Sequence, residues 1–286
     1  MRLKFTRTTL VRLVLILAIV AVAVFVDAVI YEPRFPQLTT YHVAIPNLPA
    51  SLDGFKIVQL SDIHRRRSVP DSVIRRAVRM ANSTNPDAVV LTGDYSGMDP
   101  ANIEPCFKML SKLESRLGSY AVLGNHDHWT GAEAVSESIA RHHITLLDNA
   151  SARLGPGLYL AGIDDQWVGS PDVNAAFRGI PKGSACVMLS HTPVALPLFA
   201  GHKGLLLTGH THGGQVNLPL IPRTWLPGFR NCKCIKGWYK ENGVLMYVNR
   251  GIGMIIPPVR FLCRPEVTLY VLHPAKDGEA KVLPRQ

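Results

Sequence analysis

The chain has 286 residues and 31.4 kDa, 47% of them hydrophobic, 18% charged and 7% aromatic, enough apolar residue for a real core and too much for dominant disorder. No fixed repeat period appears, and a single stretch is apolar enough to span a bilayer, so solenoid, collagen-like, heptad and multi-span membrane architectures are excluded. Five cysteines are too few for a disulfide scaffold, and no C-x-x-C pair suggests a zinc ribbon.

The formal net charge of +10 is unevenly spread. Arg2, Lys4, Arg7 and Arg12 stand against Asp27 alone in residues 1–30, residues 31–220 hold 16 charges of each sign, and eight basic residues stand against Glu241 alone in residues 221–264. The neutral middle argues against a nucleic-acid-wrapping surface, despite a pI of 9.6. The basic segment near the end suits a local anionic partner, either a substrate or a lipid headgroup, or is a solvated basic face.

In chain order, residues 8–30 are apolar enough to cross a membrane, with Arg12 and Asp27 snorkelling toward the two interfaces. Ala21-Val22-Ala23 imitates a cleavage site, but Val24, Phe25 and Val26 continue the run behind it. An uncleaved signal anchor is therefore expected rather than a cleaved signal peptide. The basic residues before it place the N-terminus in the cytoplasm and the remaining chain outside. Export would put the cysteines in an oxidising compartment; Cys232 and Cys234 are too close to pair with each other, and Cys106, Cys186 and Cys263 show no informative spacing.

The expected organisation is a basic tail and transmembrane anchor over 1–31, a connecting segment over 32–53, one folded domain over 54–275 and a polar tail over 276–286. Residues 55–60, 88–91 and 120–123 read as strands, and 70–81 and 103–113 as helices. Further strands are expected at 158–163, 186–189, 205–208, 244–248 and 267–272. Alternation in the first half predicts βαβ units, and the strand-rich second half adds antiparallel or mixed pairing, an α/β fold. Residues 218–229 carry three prolines and read as an apolar loop. Its Trp225 and Phe229, beside the basic segment, lean on the bilayer or cover a sheet edge.

Five apolar runs end directly in metal-binding residue types: Ser61-Asp62-Ile63-His64, Thr92-Gly93-Asp94, Gly124-Asn125-His126-Asp127, Ser190-His191 and Thr208-Gly209-His210-Thr211-His212. Ligands of α/β sheets bind beyond the carboxyl ends of strands, so these ends can converge. Asp62, Asp94 and Asn125 follow one another at steps of 32 and 31 residues, the length of a βαβ unit. Two Asp, one Asn and four His, without Cys, suit Mn, Fe, Zn, Co or Mg. That is more than one ion needs, and two ions sharing Asp94 is the economical reading. His42, His142, His143, His202 and His273 read as core or surface residues, His128 as a surface residue, and Asp164-Asp165 as an exposed turn.

Together these motifs resemble the signature of the calcineurin-like metallophosphoesterases over residues 55 to about 215. Tyr247-Val248-Asn249-Arg250-Gly251 and Arg264-Pro265-Glu266 are similar to the membrane-anchored bacterial branch. The resemblance implies a four-layer α/β/β/α sandwich, preceded here by the transmembrane helix, with the site at the sheet edges. It implies one metal held by Asp62, His64, Asp94 and His212, and another by Asp94, Asn125, His191 and His210. A metal-bridging hydroxide would attack the phosphoester in line, with His126 as general acid and Asp127 orienting or charge-supporting its imidazole. Arg65-Arg66-Arg67 stand where related enzymes often have a small residue, and one of them contacting the substrate phosphate competes with a solvated loop.

The expected protein is thus a phosphoester hydrolase with two divalent ions, held in a bacterial inner membrane with its catalytic domain outside the cytoplasm. Phosphodiester, phosphomonoester and pyrophosphate substrates stay open, lipid-linked ones among them. A non-catalytic metal-binding scaffold and a nuclease are the alternatives.

Overall fold

The uninterrupted apolar runs become strands buried on both faces, as sheets covered on either side require. The computed structural model describes residues 6–218 and 233–284. Trp225, Phe229 and Cys232, and with them most of the expected bilayer-leaning loop, lie outside the described residues. Helix α1 (Arg7–Val26) leads to strands β1 (Gln37–Ile45) and β2 (Phe55–Leu60). Helices α2 (Asp71–Asn82), α3 (Ile103–Leu110) and α4 (Asn125–Arg141) then alternate with β3 (Ala88–Thr92), β4 (Ser119–Val122) and β5 (Thr145–Leu146). The second half supplies β6 (Ala150–Gly155), β7 (Leu158–Gly162), α5 (Val173–Phe177), β8 (Ala185–Leu189) and β9 (Gly204–Thr208). After them come β10 (Gly237–Glu241), β11 (Val244–Val248), β12 (Glu266–Pro274) and β13 (Lys281–Val282).

Two sheets face each other, one ordered β13-β1-β12-β2-β3-β4-β5 and the other β10-β11-β9-β8-β7-β6. Alternate residues serve different layers, as the period of two demands. Ile57, Val90, Leu189 and Leu207 fill the core between the sheets, whereas Val58, Leu60 and Leu91 pack outward against α2, α3 and α4. Val73, Ile74, Ala77, Val78 and Ala81 form the buried stripe of α2, at the spacing a helix needs to present one face. Met188, Leu206 and Met246 form the outer face of the second sheet, which Phe199 and Ala176 of α5 cover. The result is the expected helix, sheet, sheet, helix sandwich. Buried Gln59 ties the sheets together, donating to Thr92 Oγ1 (2.9 Å) and the Thr208 carbonyl (3.0 Å) and accepting from the Tyr270 hydroxyl (2.7 Å).

Four elements differ from expectation. The segment read as a connector contributes β1, which runs parallel to β12 from Gln37 beside Glu266 to Ile45 beside Pro274. Helix α4 begins inside the motif Asn125-His126-Asp127, where polar residues and Gly131 (φ 124°) hide the helical period. Strands β6 and β10 are edge strands, each paired antiparallel to one neighbour.

Helix α1 has no amphipathic face and no buried residue, as a lipid-facing helix should. By length and composition the helical stretch Arg7–Arg34 can cross a membrane. Its exit does not hang free. The Glu32 carboxylate accepts from the backbone N–H groups of Leu262 (2.8 Å) and Cys263, and the Arg260 N–H donates to the Ala28 carbonyl at 3.0 Å. Arg260 is itself fully buried and donates to the carbonyls of Arg250 (2.9 Å), Gly251 (3.2 Å), Gly253 (2.6 Å) and Cys263 (2.9 Å). A buried cation is tolerable only when it is hydrogen-bonded in this way.

Candidate metal centre

Strands β2, β3 and β4 are mutually parallel, as are β7, β8, β9 and β11 in the facing sheet. Their carboxyl ends therefore gather Asp62, His64, Asp94 and Asn125 from one sheet and His191, His210 and His212 from the other. Backbone bonds knit the ends: Asp62 N–H to the Gly93 carbonyl (3.0 Å) and His64 N–H to the Asp94 carbonyl (2.9 Å). Across the sheets, the His210 N–H donates to the Asp62 carboxylate at 3.0 Å.

The local backbone is strained where the side chains must turn inward. Asp62, His64, Asp94, His210 and His212 all have positive φ, between 43° and 70°, a conformation that costs a residue with a Cβ about 1–3 kcal/mol and clusters at functional sites. Gly124 leaves the room this requires, because a Cβ there would collide with the Asp94 carboxylate.

The donor atoms crowd as ligands do. His64 Nε2 lies 3.1 Å from His212 Nε2 and 3.3 Å from Asp94 Oδ2, and His212 Nε2 lies 3.4 Å from Asp62 Oδ1. His191 Nε2 lies 3.2 Å from Asp94 Oδ2, 3.1 Å from Asn125 Oδ1 and 3.0 Å from His210 Nδ1. Ligands around an ion bound at about 2.1 Å are separated by about 3.0–3.4 Å. His191 Nδ1 lies 2.7 Å from the Thr92 carbonyl, which fixes that nitrogen as the N–H and leaves Nε2 for a cation. Around Nε2 there are more acceptors than protons, and one cation satisfies them together. The residues therefore fit a metal centre, and three groups could each hold an ion: Asp62, His64 and His212; Asp94, His191 and His210; and His64, Asp94 and His126.

Electrostatics agree. Burial opposes ionisation of Asp94, yet His191 and His64 beside it hold its carboxyl well below the usual range. Burial would lower His191, but Asp94 first and then Asp62 push it up to about 10. Without metal the pair is thus a carboxylate and an imidazolium, and ligation exchanges that proton for a cation. Burial pushes Asp62 up. Burial and the neighbouring His191 push His210 down to about 3, and burial with His64 lowers His212 well below the ordinary imidazole value.

His126 sits edge-on to His64, ring centroids 4.6 Å apart, and its backbone N–H donates to Asp94 Oδ1 at 2.9 Å. Burial, with His64, His191 and Arg66 adding to it against Asp94, pushes its imidazole down to about 4. The expected support from Asp127 is not found. Its carboxylate accepts instead from the N–H groups of Asp94 (2.7 Å), Tyr95 (2.9 Å) and Gly124 (2.9 Å), so it clamps the ends of β3 and β4 together. Burial and Asp94 push its carboxyl up to about 7. Asp127→Asn presents an NH₂ to donors that need acceptors. It should lower stability by about 1.5–3 kcal/mol and reduce metal retention, read by urea titration and metal analysis.

The three arginines separate. Arg65 donates to Asn102 Oδ1 (2.6 Å) and pairs with Asp71 (3.2 Å), so it is committed to the loop. Arg66 is half-buried, donates to the Met254 carbonyl and is lowered by burial; its charge reaches His126. Arg67 is exposed.

Two readings of the β7 end are corrected. Asp164 and Asp165 are buried rather than exposed, because their carboxylates cap the loop after β7. Asp164 accepts from Asp165 N–H (2.8 Å) and Ser170 N–H (2.7 Å), and Asp165 from Trp167 N–H (2.9 Å) and Val168 N–H (3.1 Å). His128 is mostly buried, with Nε2 2.7 Å from Asp164 Oδ1. That loop brings Trp167, 56% exposed, against His210 at 4.3 Å, and Trp129, 51% exposed, stands against His126 at 4.9 Å. Neither indole was singled out from sequence, though Trp129 follows the motif Gly124-Asn125-His126-Asp127 by two residues. His42 stacks on His273, and His142 meets Glu104, away from the centre.

Residues 55–214 match the sequence model described as calcineurin-like phosphoesterase. The chain is 33% identical over 279 residues to the transmembrane protein with metallophosphoesterase domain of Danio rerio, covering 91% of this chain and 63% of that protein. It is 31% identical over 250 residues to phosphodiesterase YaeI of Escherichia coli K12, covering 84% and 90% of the two chains. It is 28% identical over 298 residues to the UDP-2,3-diacylglucosamine pyrophosphatase LpxG of Chlamydia trachomatis, covering 83% and 89%.

Proposed function

The chain belongs to the calcineurin-like phosphoesterases, a family of metal-dependent phosphoric ester hydrolases, and from that membership we propose how its residues divide the work. Asp62, His64, Asp94 and His212 hold one divalent ion, and Asp94, Asn125, His191 and His210 hold a second. The observation that carries this reading is the pair of overlapping donor sets that meet at Asp94 Oδ2, between His64 Nε2 (3.3 Å) and His191 Nε2 (3.2 Å). Two such ions supply Lewis acidity toward the phosphoryl oxygens and a water nucleophile usable at neutral pH.

The chain's own groups do the rest. The Thr92 carbonyl and the Asp127 clamp hold the ligands in place before substrate arrives, so little reorganisation is left for the reaction itself. His126 passes a proton to the leaving oxygen. Burial holds its imidazole below the ordinary value, and a bound anionic phosphoester raises its proton affinity. Arg66 lends positive charge on the same side, while Arg65 shapes the loop.

The substrate is a phosphodiester, phosphomonoester or pyrophosphate. Relatedness to a pyrophosphatase named for UDP-2,3-diacylglucosamine supports a lipid-linked one. We take α1 as a single-pass anchor in a bacterial inner membrane, with Arg7 and Arg12 on the cytoplasmic side and the catalytic domain outside.

The test uses the full chain in detergent, stripped with a chelator and reloaded with Mn. Hydrolysis of bis-p-nitrophenyl phosphate or p-nitrophenyl phosphate should vanish on stripping and return as two ions bind per chain. Two bound ions with neither ester cleaved would leave a metal-binding scaffold.

A further inference from the structure

The loop that grips the anchor is itself apolar and exposed. Residues 255–259, Ile-Ile-Pro-Pro-Val, carry no charge; Ile256 is 81% exposed, and Pro257 and Pro258 are exposed beside it. Leu262, 55% exposed, continues the patch. At one end, the loop is pinned to the helix exit: Arg260 N–H bonds the Ala28 carbonyl (3.0 Å), two residues short of the end of the apolar run at Ile30. Glu32 holds the backbone of Leu262 and Cys263. At its other end, the Ile255 N–H donates to Gln215 Oε1 (2.6 Å), three residues after His212, and the Met254 carbonyl accepts from Arg66. Tyr31 and Phe35 stack at 6.3 Å beside the exit, the sort of aromatic pair that settles at a membrane interface.

We infer that residues 255–259 and Leu262 form a second membrane contact, seated in the apolar face of the bilayer that α1 crosses. The argument is one of height. A helix rises about 1.5 Å per residue, so a loop bonded to Ala28 lies within a few ångströms of the end of the hydrocarbon span. Exposed Ile256 at that level meets acyl chain or headgroup boundary, as an interfacial anchor does. The patch needs no partner other than the lipid its own helix occupies. It also holds the candidate metal centre at a fixed height, since the loop runs from Gln215 to Ala28 without a free joint.

The inference rests on α1 crossing the bilayer, and the experiment separates the two. Tryptophan is placed at Leu17 in the middle of α1, at Ile256, and at exposed Glu114, before β4 and at the sheet end away from the centre. Each full-length variant is reconstituted in phosphatidylcholine vesicles with and without brominated acyl chains, and its quenching is read as the excess over wild type. Leu17→Trp and Ile256→Trp should each lose about twofold or more of their added fluorescence, and Glu114→Trp close to none. Quenching at position 17 with none at 256 overturns the loop contact and leaves the anchor standing. Quenching at neither overturns both. The signal does not depend on catalysis, so an inactive but quenched protein would leave the surface intact while removing the hydrolase reading.

Discussion

Asp94→Asn should lower kcat/KM for either aryl ester by about 10³-fold or more, several kcal/mol of transition-state stabilisation, and should leave fewer than two ions bound per chain. The substitution is nearly isosteric, and an amide oxygen can still accept the His126 N–H that Asp94 Oδ1 accepts now. What it removes is the charge between His64 and His191, each of which directs Nε2 at Asp94 Oδ2. That carboxylate is held well below its usual range by those same imidazoles, so it is the permanent anion of the centre. Metal analysis beside kinetics checks the result. Full occupancy with lost activity would assign Asp94 to chemistry alone, and unchanged activity would end the shared-ligand proposal.

His126→Ala should act on turnover rather than on metal, lowering kcat by about 10²–10⁴-fold for an ester with an alkyl leaving group. The effect should shrink for p-nitrophenyl esters, because p-nitrophenolate leaves with little need of a proton. That contrast distinguishes proton delivery from a structural role, which would weaken both substrates alike. The ring is positioned for such a task by His64 at 4.6 Å and Trp129 at 4.9 Å. Equal losses on both leaving groups, with both ions retained, would remove His126 from the role of general acid.

Much of this site is legible in the amino-acid sequence. The runs at Phe55–Leu60 and Val244–Val248 are strands with the expected bounds, because strands buried in a covered sheet are predominantly apolar. The five strand ends converge because their strands are parallel and the ligand types stand at carboxyl ends. What stayed hidden depended on partners distant in sequence. Strand β1 opens on exposed, polar residues and is recognisable only beside β12. Asp127 sits next to a catalytic candidate, and adjacency suggested service to His126; the clamp on three backbone N–H groups appears only when β3 and β4 are laid together. Asp164 and Asp165 look like an exposed acidic pair until the loop over residues 165–170 turns its donors toward them.

The pairing of β1 with β12 also sets an order on how the molecule is made. Strand β1 is made early, directly behind α1, but both its neighbours, β12 and β13, are the last strands synthesised. For the whole of the intervening chain the first strand has no partner, and a contact so distant in sequence is slow to close. Nascent chains stalled or truncated before Glu266 would therefore display an open, unpaired strand edge, the kind of surface that invites aggregation. A lesion in the last twenty residues and one just after the anchor should then share a phenotype, because each removes one side of the same final seam.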